Sequence, residues 1–316
     1  MRAVTISDGE VVIADRPDPV AGVGQVLVRI TAAGLNGADM MQRRGLYPPP
    51  PGVTDVPGLE FAGVVEALGE GATRFRTGER VMGITAGGGQ AEKIAVHERE
   101  LMPVPDRLTN VEAGGFPETF CTAHDALTRY APLRPAETIL VNGAAGGVGT
   151  AAVQLARCWG ARVVASAHRP ENHSALIALG ADVAATPDEV AAHAPWDVVL
   201  ELVGAPNLET SMNGLAVGGR VHIIGVGAGA KADINLLALM GKRAFLSGST
   251  LRPRPSEEKA AVMRGVEAGV LPFVEAGAIT VPVAATYSLA DAAAAYAAFA
   301  AGGKLGKIVL TMETAA

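Results

Sequence analysis

The glycine-rich run Asn142–Gly149 constrains the fold of this chain more than any other feature of the sequence. The apolar residues Thr138–Val141 before it predict a buried strand, and residues 148–159 after it carry apolar side chains at helical spacing. A strand that turns on glycines into a helix presents free backbone N–H groups at the positive end of the helix dipole, where a diphosphate can bind. The run therefore predicts a nucleotide site, although Ala144 replaces the first glycine of the strict dinucleotide fingerprint.

The residues after this turn predict an α/β domain, a doubly wound parallel sheet of the Rossmann type, in which short apolar strands alternate with helices. The predicted strands are 161–166, 197–203 and 219–225, and the predicted helices are 171–179 and 207–216. This alternation makes a tight turn without a ligand the weaker interpretation of the glycine run, because such sheets bind ligands at the carboxyl ends of their strands. The residues expected to bind the cofactor are Asn142, Ala145, Gly146, Gly147, Val148, Gly149, Ser166, Arg169, Val203, Gly204 and Gly225.

Composition excludes several classes of protein. The chain has 316 residues, which favours two domains, and its net charge of −6 argues against a nucleic-acid surface. The uncharged stretch 138–156 is interrupted by the glycine run, so we expect no membrane span. Asp8 and Glu10 stand where a signal peptide would be apolar, and Cys121 and Cys158 are the only cysteines, so we expect a cytoplasmic protein without a disulfide framework.

The first part of the chain predicts a β-rich, barrel-like domain. Its strand-like runs are separated by Gly, Pro and Asp at close intervals, and they lie at 11–14, 25–32, 61–68, 80–84 and 90–96. Residues 302–311 predict another strand that returns to this domain, after an alanine-rich helix at 288–301 capped by Ser288 or Asp291. The tetraproline Pro48–Pro51 is interpreted as a rigid loop wall. We place this barrel-like domain at residues 1–118 and 259–316 and a nucleotide-binding domain at 119–258.

Several motifs resemble the zinc-independent quinone oxidoreductase branch of the medium-chain dehydrogenase/reductase superfamily, which includes zeta-crystallin. They run nearly from end to end of the chain, at residues 32–39, 45–52, 57–63, 78–82, 142–149 and 306–310. The runs 47–52 and 248–254 are most similar to the subgroup of stress-inducible NADPH:quinone oxidoreductases. The resemblance implies an N-terminal GroES-like catalytic domain, a Rossmann domain and a homodimer or a pair of dimers.

The resemblance also shows where zinc-dependent members differ from this chain. Those members carry a cysteine ligand at the position of Asn36 and a histidine ligand at the position of Leu59, and the cysteine-rich structural zinc loop is absent here. Without a thiolate or an imidazole at these positions a catalytic zinc would have too few ligands, so we predict no metal. Oxidising an alcohol requires its alkoxide to be stabilised, whereas reducing a quinone or an activated alkene does not.

The same resemblance implies three catalytic residues. Asn36 would orient the cofactor or a substrate oxygen, Tyr47 would donate a hydrogen bond to the reduced product, and Thr122 would pack against the nicotinamide. For Tyr47 the alternative is an aromatic ring that only packs on the proline wall.

Cofactor preference is read at the end of the second strand of the nucleotide domain. Enzymes that favour NAD usually have an acidic residue there, whereas this chain has the neutral Ser166 followed by Arg169, which could pair with a 2′-phosphate. We therefore predict NADPH, with a solvated surface arginine as the alternative interpretation of Arg169. NADPH-binding relatives commonly have a lysine at Asn172 and a tyrosine at Pro187, so this chain departs from their pattern.

Together these features predict an NADPH-dependent enzyme that reduces quinones or related conjugated carbonyls by direct hydride transfer, without metal or flavin. An enoyl or alkenal double-bond reductase and a low-turnover, crystallin-like NADPH-binding protein remain as alternatives. The predicted partners are a small-molecule quinone or enone and a second copy of the chain, because residues 244–251 predict a long apolar edge strand.

Overall fold

The computed structural model describes residues 1–312 and divides into two compact units. One unit contains residues 1–121 together with the described chain from Leu251 onward, and the other contains residues 122–250. The domain limits taken from the sequence, 118/119 and 258/259, stay a prediction, and residues 313–316 of the predicted catalytic domain lie outside the described residues. We call the first unit the catalytic unit and the second the nucleotide unit.

The nucleotide unit is built on a six-stranded parallel sheet with the strand order β10-β9-β8-β11-β12-β13. Its strands are β8 (Thr138–Asn142), β9 (Arg162–Ser166), β10 (Val183–Ala185), β11 (Trp196–Glu201), β12 (Leu215–Ile223) and β13 (Phe245–Gly248). Its helices are α4 (Gly147–Cys158), α5 (His173–Ala178), α6 (Leu208–Asn213) and α7 (Leu236–Lys242). Apolar side chains from β8, β9 and β11 are fully buried, which is typical of a sheet covered on both faces. The predicted Rossmann fold is confirmed.

Most predicted elements of this unit have different bounds in the structure. The strands predicted at 197–203 and 219–225 lie at Trp196–Glu201 and Leu215–Ile223, and the helix predicted at 171–179 lies at His173–Ala178. The helix predicted at 207–216 ends at Asn213, because Gly214 packs directly on the indole of buried Trp196 and Leu215 pairs with Trp196 as the start of β12. A Cβ at Gly214 would lie 2.1 Å from Cζ2 of Trp196, so only glycine fits there. The strand predicted at 244–251 is limited to β13.

The catalytic unit contains a seven-stranded mixed sheet, in which β14-β15-β3-β4-β5-β7 follow one another and β6 also pairs with β3. The strands of this unit are β1 (Arg2–Ser7), β2 (Glu10–Asp15), β3 (Gln25–Gly34), β4 (Glu60–Leu68), β5 (Arg80–Ile84), β6 (Lys93–His97), β7 (Leu101–Pro103), β14 (Val283–Ser288) and β15 (Lys307–Thr311). Its helices are α1 (Gly37–Arg43), α2 (Asn110–Gly114), α8 (Ser256–Gly269), α9 (Leu271–Glu275) and α10 (Ala292–Ala301). Helix α3 (Pro117–Asp125) contains the boundary between the units. The predicted β-rich domain is confirmed.

The C-terminal strand β15 pairs antiparallel with β3, so the end of the described chain rejoins the first domain as predicted. The strand is shorter than predicted and begins at Lys307, because Gly302, Gly303 and Gly306 have positive φ angles that an extended strand does not adopt. Ser288 caps the short 3₁₀ turn before α10, since its Oγ accepts the N–H of Asp291 at 3.3 Å. Helix α10 has only ten residues. Within residues 1–312, no helix is long and apolar enough to cross a membrane.

The N-terminal strand β1 was not predicted, and it changes one neighbouring boundary. It forms a hairpin with β2 through the two-residue turn Asp8–Gly9, in which both residues have positive φ. Residues 90–92, predicted as part of a strand, instead bond to β1, with the Val4 N–H donating to the Gln90 carbonyl at 2.9 Å. Strand β6 therefore begins at Lys93.

Candidate active site

The glycine turn of the nucleotide unit connects β8 directly to α4. Gly146 occupies the position before the helix, and as a glycine it has no side chain that could cap the N–H groups of the first turn. A Cβ at Gly149 would lie 2.4 Å from the Gly143 carbonyl oxygen, so the helix start and the loop can approach this closely only with glycine. Residues 145–148 are half-buried, which leaves their backbone accessible. The geometry fits an anion such as the diphosphate of a dinucleotide.

A buried carboxylate that sequence reasoning missed, Glu201, organises this turn. Its Oε2 accepts a hydrogen bond from Nδ2 of Asn142 at 2.7 Å, and its Oε1 accepts the N–H groups of Val203 at 2.7 Å and Gly204 at 2.8 Å. Asn142 also donates to Oγ of Ser211 at 2.9 Å. Glu201 therefore fixes the ends of β8 and β11 relative to each other. An acidic residue inside the apolar run 197–203 was the available signal.

The carboxyl ends of the strands border a cavity of about 330 Å³. Its lining includes Asn142 and Val203 of the predicted set, together with His168, Pro187 and Asp188. Gly225 follows β12, and a Cβ there would lie 2.2 Å from the Leu202 carbonyl oxygen, which makes it a close-packing position. The loops after the strands thus leave room for a ligand where a doubly wound sheet binds one.

Ser166 and Arg169 follow the second strand of the nucleotide sheet. Ser166 is buried, and its carbonyl oxygen accepts the N–H groups of Gly143 at 3.1 Å and Ala144 at 2.9 Å. Arg169 is exposed and makes no ion pair with any residue in the described part of the chain. Its guanidinium is thus available to an anionic ligand, and the contact itself stays a prediction.

In the catalytic unit, Asn36 lies in a buried polar cluster. Its Nδ2 donates to Oε1 of Glu60 at 2.8 Å, and its Oδ1 accepts a hydrogen bond from Nζ of Lys307 at 2.7 Å. Lys307 also forms an ion pair with Oε1 of Glu60 at 2.6 Å and donates to the Leu35 carbonyl at 2.7 Å. All three protons of this ammonium group therefore have acceptors, and the side chain of Asn36 is held in one orientation.

Two more carboxyl groups lie in the same cluster. Asp39 accepts the N–H of Asn36 at 2.8 Å and that of Gly58 at 3.1 Å, and burial raises its pKa to about 6. Glu118, the second residue of α3, donates its backbone N–H to Oε2 of Glu60 at 2.9 Å. Burial, together with the nearby charge of Glu60, raises the pKa of the Glu118 carboxyl to about 8. Sequence reasoning missed Glu118, whose only signal is an acidic residue within the mainly apolar stretch 113–127.

Tyr47 is positioned by Arg252, which is buried. The Arg252 guanidinium lies 5.1 Å from the centre of the Tyr47 ring and donates to the Tyr47 carbonyl at 3.0 Å. Its other nitrogens donate to the Ala86 carbonyl at 2.7 Å and to Oε1 of Gln42 at 2.7 Å. The Tyr47 ring is thus fixed by the Arg252 cation and not by the proline wall alone. Partial burial raises the pKa of its phenol above the ordinary value.

Thr122 lies one helical turn after Glu118 on α3 and is buried. Residues four apart on a helix lie on the same face, so Thr122 and Glu118 share one. Whether Thr122 packs on a nicotinamide stays a prediction.

The donor set at Asn36 does not fit zinc. Both polar atoms of the Asn36 side chain are used by Glu60 and Lys307, Leu59 is a buried hydrocarbon, and an ammonium ion lies beside the carboxylate that a cation would need. Among residues 1–312, no group of three or more His, Cys, Asp or Glu side chains could hold a metal ion.

We therefore expect the purified protein to keep its full activity after dialysis against a chelator, because the donor set around Asn36 does not fit a metal ion. Elemental analysis should find no stoichiometric zinc in the same sample. One tightly bound zinc per chain, lost together with activity, would contradict this prediction.

Comparison with protein families matches both units of the chain. Residues 22–128 match the alcohol dehydrogenase GroES-like domain, and residues 147–267 match the zinc-binding dehydrogenase family. Human quinone oxidoreductase is 30% identical over 99% of this chain and 98% of its own length.

Solved structures agree with this match. The quinone oxidoreductase from Thermus thermophilus, whose structures include a complex with NADPH, is 37% identical with a TM-score of 0.86, over 99% of this chain and all of the other. Mycobacterial Rv1454c complexed with NADPH is 28% identical with a TM-score of 0.87, over 98% of this chain and all of the other.

Proposed function

This chain belongs to the quinone oxidoreductase family of the medium-chain dehydrogenase/reductase superfamily, and from that premise we propose that it reduces quinones with NADPH by direct hydride transfer. The observation that carries the proposal is the Asn36–Glu60–Lys307 cluster. It places hydrogen-bonded amide, carboxylate and ammonium groups where a metal-binding donor set would lie. Such a site offers no Lewis acid for oxidising an alcohol, and it suits an acceptor that is already electrophilic. The relatives named quinone oxidoreductase support the same substrate class.

When bound, NADPH supplies the hydride that reduces the acceptor. The N–H groups of residues 147–149 and the loops ending at Val203, Gly204 and Gly225 would hold its diphosphate and ribose, and Arg169 would pair with the 2′-phosphate. In the catalytic unit, the Asn36 Nδ2 proton that Glu60 does not accept would orient a carbonyl oxygen, and Tyr47 would donate a hydrogen bond to the oxygen that becomes anionic. Thr122 packs against the nicotinamide.

Turnover with a small panel of acceptors tests this proposal. We expect oxidation of NADPH with quinones to exceed that with enals and enoyl thioesters, and to need no added flavin or metal. A preference for carbon–carbon double bonds would favour the alkenal or enoyl reductase alternative. Tight NADPH binding without turnover of either class would favour the low-turnover alternative.

We propose further that two copies of the chain pair through an edge patch, defined as Val217, Leu236, Leu237, Met240 and Phe245. Strand β13 is the last strand of its sheet, and all five side chains are exposed, with Leu237 at 79%. Exposed apolar side chains beside an open strand edge favour self-association. We favour a homodimer that covers this patch. Separately, we propose a cytoplasmic location.

The double substitution Leu237→Asp and Phe245→Asp should convert the dimer to a monomer, because both charges would be buried without partners across the two-fold axis. Sedimentation velocity at micromolar concentration measures the change. Val20→Asp, at an apolar side chain in the catalytic unit that is 85% exposed, is the matched control and should leave the dimer intact. A wild-type protein that sediments as a monomer would contradict the proposal.

A further inference from the structure

We propose that Glu118 is a catalytic acid, which delivers the proton that the reduced acceptor takes up. The proposal rests on the quinone reductase function proposed above and names the group that completes that reaction. It assigns to Tyr47 a hydrogen-bonding role only.

The placement of Glu118 supports this role. Its backbone is tied to Oε2 of Glu60, while Asn36 is tied to Oε1 of the same carboxylate, so one buried group positions both residues. Glu118 also shares a helical face with Thr122, the residue that the proposed function puts against the nicotinamide. Glu118 is partly exposed as a residue, unlike Asp39 and Glu60, so solvent reaches the edge of this cluster and can return a proton to it after each turnover.

The surroundings of Glu118 keep its carboxyl protonated at neutral pH. Six charged or titratable groups act on it. They are the carboxyls of Asp39 and Glu60, the ammonium groups of Lys307 and of Lys259 on α8, and the Tyr47–Arg252 pair. Burial and the two carboxylates outweigh the two lysines, so the pKa of Glu118 is raised to about 8.

This value makes Glu118 a better acid than Tyr47 at neutral pH. A general acid is most effective when its pKa lies near the working pH. The pKa of the Tyr47 phenol is raised above 10, so it gives up a proton less readily than Glu118.

The proton step balances with the hydride step. The quinone gains a hydride, which carries two electrons and one proton, and becomes the hydroquinone monoanion while NADPH is oxidised to NADP⁺. The O–H bond of the Glu118 carboxyl then breaks as a new phenolic O–H bond forms on the product. The Glu118 carboxylate takes its next proton from solvent.

Glu118→Gln tests the proposal, because glutamine has nearly the same shape and keeps the backbone bond to Glu60 but carries no acidic proton. With a quinone acceptor at pH 7, we expect kcat to fall about 100-fold, while the Kd for NADPH stays unchanged. In the wild type kcat should fall as the pH rises through about 8, and in Glu118→Gln this alkaline fall should disappear. Glu66→Gln, at an exposed carboxylate paired with Lys93, is the matched control and should leave both measurements as in the wild type.

The outcomes separate this inference from the proposed function. Wild-type quinone turnover with an unchanged kcat and pH profile in Glu118→Gln would overturn the role of Glu118 and leave the function standing. Absence of quinone turnover in the wild type would overturn both.

A second readout does not depend on turnover. The pKa of Glu118 is higher in the folded chain than in the unfolded one, so the stability that its proton contributes is fully present below about pH 4 and is lost as the pH rises through about 8. Glutamine has no such loss, so the Tm of Glu118→Gln relative to wild type should rise between pH 5 and pH 9. A constant difference in Tm over this range would mean that Glu118 is already ionised at neutral pH, and it would overturn the proposal.

Discussion

Replacing Lys307 by methionine should lower the free energy of unfolding by about 3–5 kcal/mol, the cost of leaving a buried carboxylate without its cation. Lys307 is 3% exposed and Glu60 is fully buried, so water cannot replace the lost ammonium group. The carbonyl of Leu35 and Oδ1 of Asn36 would lose their donors at the same time. Urea unfolding of the full chain at pH 8 measures the change.

Lys93→Met is the matched control for this substitution. Lys93 also contacts two carboxylates, Glu66 at 2.9 Å and Asp18 at 3.1 Å, but this pair lies at the surface. The loss of its ammonium group should cost far less than the loss of Lys307, because solvent screens charges at the surface. Equal costs for Lys93→Met and Lys307→Met would show that the buried cluster is not held together by charge.

The loss caused by Lys307→Met should be smaller at pH 5 than at pH 8. The pKa values of Asp39 and Glu118 are raised to about 6 and about 8, so both carboxyls hold protons in the folded chain at pH 5 and no longer repel Glu60. Adding Glu60→Gln to Lys307→Met should recover part of the stability, because it removes the charge that the first substitution left unpaired. A double variant less stable than Lys307→Met alone would contradict this account.

The sequence signals for the cofactor half of the site are local, and the contacts of its residues with a cofactor stay predictions. Gly143, Gly146, Gly147 and Gly149 lie within one turn of chain, and close packing or a positive φ at Gly143 and Gly149 leaves little alternative to glycine. The hairpin β1–β2 could also have been predicted, since Asp8–Gly9 between two apolar runs is a strong turn signal. It was missed.

The catalytic half could be predicted only in part, because its chemistry depends on residues far apart in the chain. The family resemblance implied roles for Asn36 and Tyr47 that stay predictions, and nothing near them in sequence indicates Lys307 or Arg252 as their partners. The raised pKa of Glu118 likewise follows from burial and from Glu60, neither of which periodicity can reveal. Long-range pairing of charges therefore has to be read from the structure.

Arg169→Ala should weaken NADPH binding by about 1–3 kcal/mol, the range for a charge-assisted hydrogen bond at an exposed site, and should barely change NADH binding. The preference for NADPH over NADH would then shrink by about one to two powers of ten. Arg169 is suited to this test because it is exposed and makes no ion pair within residues 1–312, so its removal disturbs no internal contact. Titration of both cofactors, followed by fluorescence, measures the change.

Ser166→Asp should reduce the same preference through repulsion. Ser166 is buried at the end of β9, and a carboxylate there would repel a 2′-phosphate while offering the ribose of NADH a hydrogen-bond acceptor. Arg162→Ala, at an exposed arginine at the opposite end of the same strand, is the matched control and should leave both affinities unchanged. Equal NADPH affinity in wild type and Arg169→Ala would mean that this arginine is a solvated surface charge. Because Asn172 and Pro187 already depart from the pattern of NADPH-binding relatives, the preference would then have to come from other contacts, of which His168 beside the cavity is the nearest candidate in sequence.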